Sequence, residues 1–220
     1  MKKQTENVFP EAIVYSLNTE KETEYDNLLS ESVVLLQLSG EMVFETSSDR
    51  ICARSGEVYL IRKHQFVKTT KTPINDGYYK ALLFILKEDI LGEYALEKQL
   101  ETTARYQGKP NILLPENAYL KGFFDSLIPY TQHPKNLKHP LSILKVKEAI
   151  ELLLLIIPDL KNFLFDFSEP HKIDLEKFMS SNYKFNVPID NFAKLTGRSL
   201  AGFKRDFQKT FGIPPRQWLQ

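Results

Sequence analysis

The sequence predicts an α+β protein: a β-sandwich or barrel in the N-terminal part, helices behind it, and a small all-α segment at the C-terminal end. Three observations carry this expectation. Between Ala12 and Leu86, short runs of β-branched and aromatic residues alternate with turn residues at roughly ten-residue spacing. From Glu88 onward the apolar period becomes helical. The segment 171–220 holds nine Lys/Arg against four Asp/Glu, whereas residues 1–170 hold twenty against twenty-four. An acidic body with a basic end suggests a division of labour, with nucleic acid as the candidate partner of the basic end. The 220 residues are 42% hydrophobic and 26% charged, the composition of a folded soluble chain.

The strands are read from AIVYSL, VVLLQL, MVFET, RICAR, EVYLIR and YYKALLFIL. Turn signals separate them at Ser39-Gly40, Ser47-Ser48-Asp49, Ser55-Gly56 and Asp76-Gly77. Val58 and Leu60, with Arg62 as a candidate third member, share one strand face, and Tyr59 and Ile61 share the other. No helical period lies between the strands, which argues against a parallel βαβ sheet.

The helices follow. Glu88–Glu101 has a helical pattern that Gly92 weakens, and Asn117–Tyr130 is a second helix. Leu141–Ile157 is the clearest, entered through His139-Pro140 and stopped at Ile157-Pro158. In its first half Ile143, Leu144, Ala149 and Ile150 are read as inward, and Lys145, Lys147 and Glu148 as outward. Its second half, LLLLII, is apolar all round and must be covered on every side. Its own domain or a second copy of the chain could supply that cover, and the sequence leaves both open. The stretch PDLKNFLFDFSEPHK reads as a connector that buries its phenylalanines, followed by three short helices at Asp174–Tyr183, Pro188–Thr196 and Ser199–Phe211. The expected division is a domain at 8–168, helical from about residue 88, and a second unit at 171–220.

The patterns of common enzymes are missing. Cys52 stands alone, which excludes an internal disulfide, a CxxC redox pair and a Cys-rich zinc site, and it reads as a packed thiol. There is no GxSxG, GxGxxG or HExxH. Gly197 to Gly202 approaches a phosphate loop, but Phe203 separates the second glycine from Lys204. His133 and His139 flank a proline-containing loop and read as solvated. His64, at a strand end in GEVYLIRKHQFVKTT, reads either as a polar strand-end residue or as one polar contact inside a barrel cavity, a weak candidate for ligand binding. No catalytic residue, metal or cofactor is expected. The longest apolar run, Leu152–Ile157, falls far short of the roughly 20 residues that span a membrane. The lysines of MKKQTENVFPEA precede no apolar stretch, so a cytoplasmic protein with no membrane partner is expected.

The stretch PIDNFAKLTGRSLAGFKRDFQKTFG is the most informative. Ile189, Phe192 and Ala193 form one apolar stripe, Gly197 interrupts the helix, and Ser199 is a good N-cap for the next one. There Leu200, Phe203, Phe207 and Phe211 repeat at three, four and four residues as the buried face. Ala201, Lys204, Arg205 and Gln208 lie opposite. Two helices joined by a short Gly-containing turn, with a basic outer face on the second, describe a DNA-reading helix–turn–helix. Small residues such as Ala201 and Gly202 allow close approach to the major groove, Arg205 can fork onto a guanine edge, and Lys204 and Arg198 can neutralise phosphates. Arg198, Ser199, Ala201, Lys204, Arg205 and Gln208 are therefore the candidate DNA contacts. A plain solvated polar face is the alternative that periodicity alone leaves open.

The run A-x-L-x-G-x-S-x-x-x-F-x-x-x-F-x-x-x-x-G-x-x-P, from Ala193 to Pro215, resembles the first helix–turn–helix of AraC/XylS-type transcriptional regulators. The exit Gly212-Ile-Pro-Pro-Arg-Gln-Trp218 is similar to that family's entry into a linker helix. The β-rich half, with Gly56-Glu57 followed by a strand and His64, resembles the cupin-like effector or dimerisation domain often fused to it. This resemblance implies a sequence-specific DNA-binding regulator of double-stranded DNA, modulated at the barrel by a small-molecule effector or a regulatory protein. The apolar-all-round half of Leu141–Ile157 adds the expectation of a homodimer through helices in 117–158. The family's full affinity for DNA depends on a second helix–turn–helix, and this chain stops at Gln220 before one. Weak, poorly selective binding by these 220 residues is the expectation. Metal-binding cupins carry an HxH pair, whereas His64-Gln65-Phe66 lacks the second histidine, so a barrel ligand is expected to bind without a metal. Two rivals are a small-molecule-binding or protein-interaction cupin module with no DNA role, and a cupin enzyme such as an isomerase or dioxygenase. The basic outer helix face argues against the first and the incomplete metal pattern against the second.

Overall fold

The computed structural model describes residues 5–9, 12–74, 77–100, 105–132, 139–168 and 170–220. Asp76 of the Asp76-Gly77 turn, Glu101 at the expected end of the first helix, and His133 lie outside the described residues. The strands are β1 (Thr5–Phe9), β2 (Ile13–Asn18), β3 (Glu22–Leu29), β4 (Ser32–Ser39), β5 (Glu41–Glu45), β6 (Arg50–Arg54), β7 (Val58–Ile61), β8 (Gln65–Thr72), β9 (Tyr79–Leu86) and β10 (Asn111–Leu113). They form two sheets, in the orders β1-β2-β9-β4-β7-β10 and β3-β8-β5-β6. Every strand pair in them is antiparallel.

The six-stranded sheet is covered on both faces, which is why its central strands read as continuous apolar runs. Val34, Leu60, Leu82 and Phe84 point to the helices. Leu35, Ile61, Tyr79 and Ala81 point to the other sheet, where they meet Met42, Phe44, Ala53 and Val67. The alternation read from β7 holds: Val58 and Leu60 join the helix-side core, Tyr59 and Ile61 the inter-sheet core.

Strands β3 and β8 were absent from the sequence reading because their inward faces mix charged and polar residues with apolar ones. In β8, Val67, Thr69 and Lys71 turn inward, and Lys71, almost fully buried, pairs with Glu24 of β3. A buried ammonium is tolerated because this carboxylate neutralises it. Between the sheets lies a cavity of about 200 Å³ whose lining includes Leu35, Met42, Phe44, Val67, Lys71 and Tyr79. His64 does not line it. It occupies the turn between β7 and β8 with φ of +63°, and its N–H donates to Leu29 O at 2.7 Å. The cavity role considered for His64 is thereby corrected: the reversal of the chain places it outside the barrel interior.

The helices are α1 (Glu88–Glu97), α2 (Ala118–Gln132), α3 (His139–Ile156), a 3-10 turn at Pro158–Leu160, α4 (Lys161–Leu164), α5 (Leu175–Asn182), α6 (Ile189–Leu195), α7 (Leu200–Phe211) and α8 (Pro215–Trp218). Helix α1 runs through Gly92. In α3 the buried line is Ser142, Val146, Ala149, Ile150 and Leu153. Leu144, read as inward, is 62% exposed, because that line puts it half a turn away. Leu155 lies on the same outer line at 65% exposure. Ion pairs Lys147–Glu97 and Lys98–Glu151 tie α3 to α1.

The first part of the expected connector is helical, at Pro158–Leu160 and in α4, and beyond it Asp166 anchors the remainder. Its carboxylate pairs with Arg62 at the end of β7 and accepts from the Ser168 amide and hydroxyl and from the Tyr106 amide. Burial raises its pKa, but the two Ser168 bonds, the Tyr106 amide and Arg62 outweigh it and hold the carboxyl below its usual value. The Arg62 guanidinium also lies 5.1 Å from the centre of the Tyr106 ring.

Candidate nucleic-acid interface

Helix α6 ends because Gly197, at φ of +63°, takes a left-handed conformation. The chain turns so tightly against the connector that a Cβ on Gly197 would lie 2.2 Å from the carbonyl carbon of His171. Ser199 then opens α7: its Oγ accepts from the Gly202 amide at 3.2 Å, satisfying one of the free amides of the first turn. Gly212, at φ of +77°, closes the helix, and its N–H donates to Gln208 O.

One face of α7 is core. Phe203 and Phe207 are fully buried against Phe192, Leu195 and Met179. Trp218 of α8 folds back onto Phe207 and Phe211 at 5.6 and 5.1 Å between ring centres. Leu200, assigned to the buried face from its spacing, is 36% exposed, because it sits in the first turn ahead of the contact with α6. The opposite face carries Ala201, Lys204, Arg205 and Gln208, all exposed, with Arg205's side chain at 80%. Ser199 is exposed beside them while it caps the helix.

Arg198 does not share that surface. Its side chain is only 8% exposed. It donates through Nη1 to Ile173 O at 3.0 Å and Thr196 O at 2.8 Å, and through Nε to Asp206 at 3.1 Å. The expected phosphate contact at Arg198 is corrected to an internal clamp: the tight turn folds the side chain back under α7, where three acceptors hold it. Asp206 is the residue that sequence reasoning missed. Lys172 and Arg198 hold its carboxyl below the usual value, so the one acid among the cations of α7 is already compensated. Its place in a basic helix was the signal, since an uncompensated acid there would repel phosphate.

No three His, Cys, Asp or Glu side chains converge among the described residues.

Comparison with known proteins gives the following. The family described as the ExsA N-terminal regulatory domain matches residues 32–184. The HTH-type transcriptional regulator ExsA of Pseudomonas aeruginosa is 26% identical over 200 residues, which are 86% of this chain and 68% of ExsA. Among solved structures, ToxT of Vibrio cholerae aligns over 95% of this chain and 98% of its own, at 12% identity and a TM-score of 0.48. The AraC-like transcriptional activator CuxR aligns over 94% and 73%, at 12% identity and a TM-score of 0.48.

Proposed function

The chain belongs to the ExsA type of AraC-family transcriptional regulators, with the family's N-terminal regulatory domain over residues 32–184, and on that premise we propose that helix α7 is its DNA-reading element. The observation that carries this is the division of α7. Phe203 and Phe207 are spent entirely on the core, while Ala201, Lys204, Arg205 and Gln208 stand exposed on the second helix of a Gly-turned pair. Such a helix can enter the major groove with its core undisturbed. In this reading Arg205 meets a base edge, Lys204 a phosphate, and Ser199 and Gln208 flank them.

The experiment is binding to DNA selected from a random pool, by this chain joined to the second helix–turn–helix that the family's DNA-binding unit carries. Arg205→Ala is expected to lose about 1–3 kcal/mol and to relax preference at one or two base pairs. Lys204→Ala is expected to weaken all sequences alike and to reduce the salt slope by about 0.9, the contribution of one phosphate. Unchanged binding by Arg205→Ala overturns the reading.

Two further assignments belong to the same proposal. The barrel domain, at about 8–168, takes the regulatory input, as a small molecule in the inter-sheet cavity or as a partner protein. The α2–α3 region makes a two-fold interface, which the exposure of Leu144 and Leu155 supports. No helix among the described residues is long and apolar enough to cross a membrane. On this reading the chain works where its DNA lies, in the cytoplasm.

A further inference from the structure

Phe66 belongs to the barrel by sequence and to the helical unit by packing. It is 2% exposed, yet it points away from the barrel interior, because Val67, Thr69 and Lys71 take the inward positions of β8. Its ring lies 5.0 Å from Phe192 of α6, 5.7 Å from Phe185, and 6.2 Å from Phe178 of α5. Leu28 of β3 packs on the same cluster. Phe192 in turn is part of the core that buries Phe203 and Phe207 of α7. A single aromatic layer therefore separates the outer face of the barrel from the helix with the basic surface.

We infer that Phe66 locks the helix–turn–helix unit onto the barrel in one orientation, and that β8 transmits displacement of the cavity wall to α7. A large aromatic buried in the partner's core is what anchors an interface of this kind. The lock orients and does not mask: Lys204, Arg205 and Gln208 remain exposed in the docked arrangement. One strand carries both contacts, with the anchor on its outer face and cavity-lining residues on its inner face at adjacent positions 66 and 67. A shift of β8 caused by filling or emptying the cavity moves both together. The docking stands whether or not α7 reads DNA. Only its regulatory consequence rests on that reading.

The test uses the full chain in a Cys52→Ser background, with spin labels on Asp125→Cys of α2 and Lys209→Cys of α7, both exposed positions. With the labelled chain diluted into an excess of unlabelled chain, so that only distances within one chain are read even in a dimer, the parent is expected to give one narrow distance distribution. Phe66→Ala is expected to broaden it, and Phe66→Leu to keep it narrow. Hydrogen exchange of amides in 189–211 is expected to quicken by about tenfold or more in Phe66→Ala, with the amides of Leu35 and Leu82 unchanged. A distribution that stays narrow overturns the lock. Loss of protection at Leu35 and Leu82 overturns it as well, since Phe66 would then be a residue of the barrel's own core. For the transmission, Val67→Ala is expected to quicken exchange in 189–211 more than Met42→Ala, which enlarges the same cavity by more but from β5. Equal effects, or a larger one from Met42→Ala, remove β8 as the route. Failure of α7 to read DNA would appear in the binding of Arg205→Ala and leave these distances unaffected.

Discussion

Removing Arg198 separates two roles that this side chain could have had. Arg198→Ala deletes a guanidinium that is 8% exposed and holds Ile173 O, Thr196 O and Asp206 together. Hydrogen bonds from a charged group contribute about 1.5–3 kcal/mol each, and a buried acceptor left unsatisfied costs about 1–3 kcal/mol. Ile173 is half-exposed and its carbonyl can regain water, whereas Thr196 is fully buried. The two main-chain bonds together set a loss of about 2–4 kcal/mol, leaving the Asp206 contact out of the sum. At about 2–4 °C per kcal/mol for a chain of this size, the melting temperature should fall by roughly 4–16 °C. Calorimetry measures this directly. DNA binding of the folded variant should keep the salt dependence of the parent, because this guanidinium meets no phosphate. An unchanged melting temperature combined with a salt slope reduced by about 0.9 refutes the clamp and restores the phosphate contact.

Three other outcomes follow from the geometry. Gly197→Ala combines a left-handed backbone with a Cβ driven into the His171 and Lys172 main chain, and should cost roughly 2–4 kcal/mol in chemical denaturation; Gly212→Ala, with the same sign of φ but open space around it, should cost about 1 kcal/mol, and equal costs would mean that the turn does not press on the connector. Asp166 has a folded pKa below its unfolded one, so its stabilisation is present above about pH 4 and is lost as pH falls through the folded value; the stability gap between the parent and Asp166→Asn should hold steady from neutral pH to about pH 5 and shrink on further acidification, and a gap that widens there contradicts the assignment. In sedimentation at high micromolar concentration the parent should be a dimer and Leu144→Glu/Leu155→Glu a monomer that keeps its folded circular dichroism spectrum; a monomeric parent removes the two-fold interface.

What the sequence revealed depended on whether a residue's partner was local. The alternation in β7 and the three-four-four spacing of α7 are set by neighbours within two turns or one strand, so they can be read directly. The cap at Ser199 is legible for the same reason. Strands β3 and β8 were hidden because Lys71 and Glu24 answer each other across 47 positions, which makes each look solvated by itself. Leu144 was misplaced because α3 buries Ser142, a polar residue that fixes the helix phase and that no apolar stripe includes. Arg198 looked like a surface cation because its acceptor Ile173 O lies 25 positions away and is main chain, which composition cannot show. Phe66 follows the same rule: it lies in one of these hidden strands, and its partners are 112 to 126 residues further on.

The central claim is that α7 enters DNA with Gln208 and Arg205 toward the bases. An iron chelate tethered to Gln208→Cys, in the Cys52→Ser background of the chain joined to a second helix–turn–helix, reports where that side chain lies by cutting the DNA beside it. The account expects cuts confined to a few base pairs in one groove of the selected site, and none from the same chelate on Asp125→Cys of α2. Cuts spread evenly along the duplex, or as strong from Asp125→Cys as from Gln208→Cys, would contradict it.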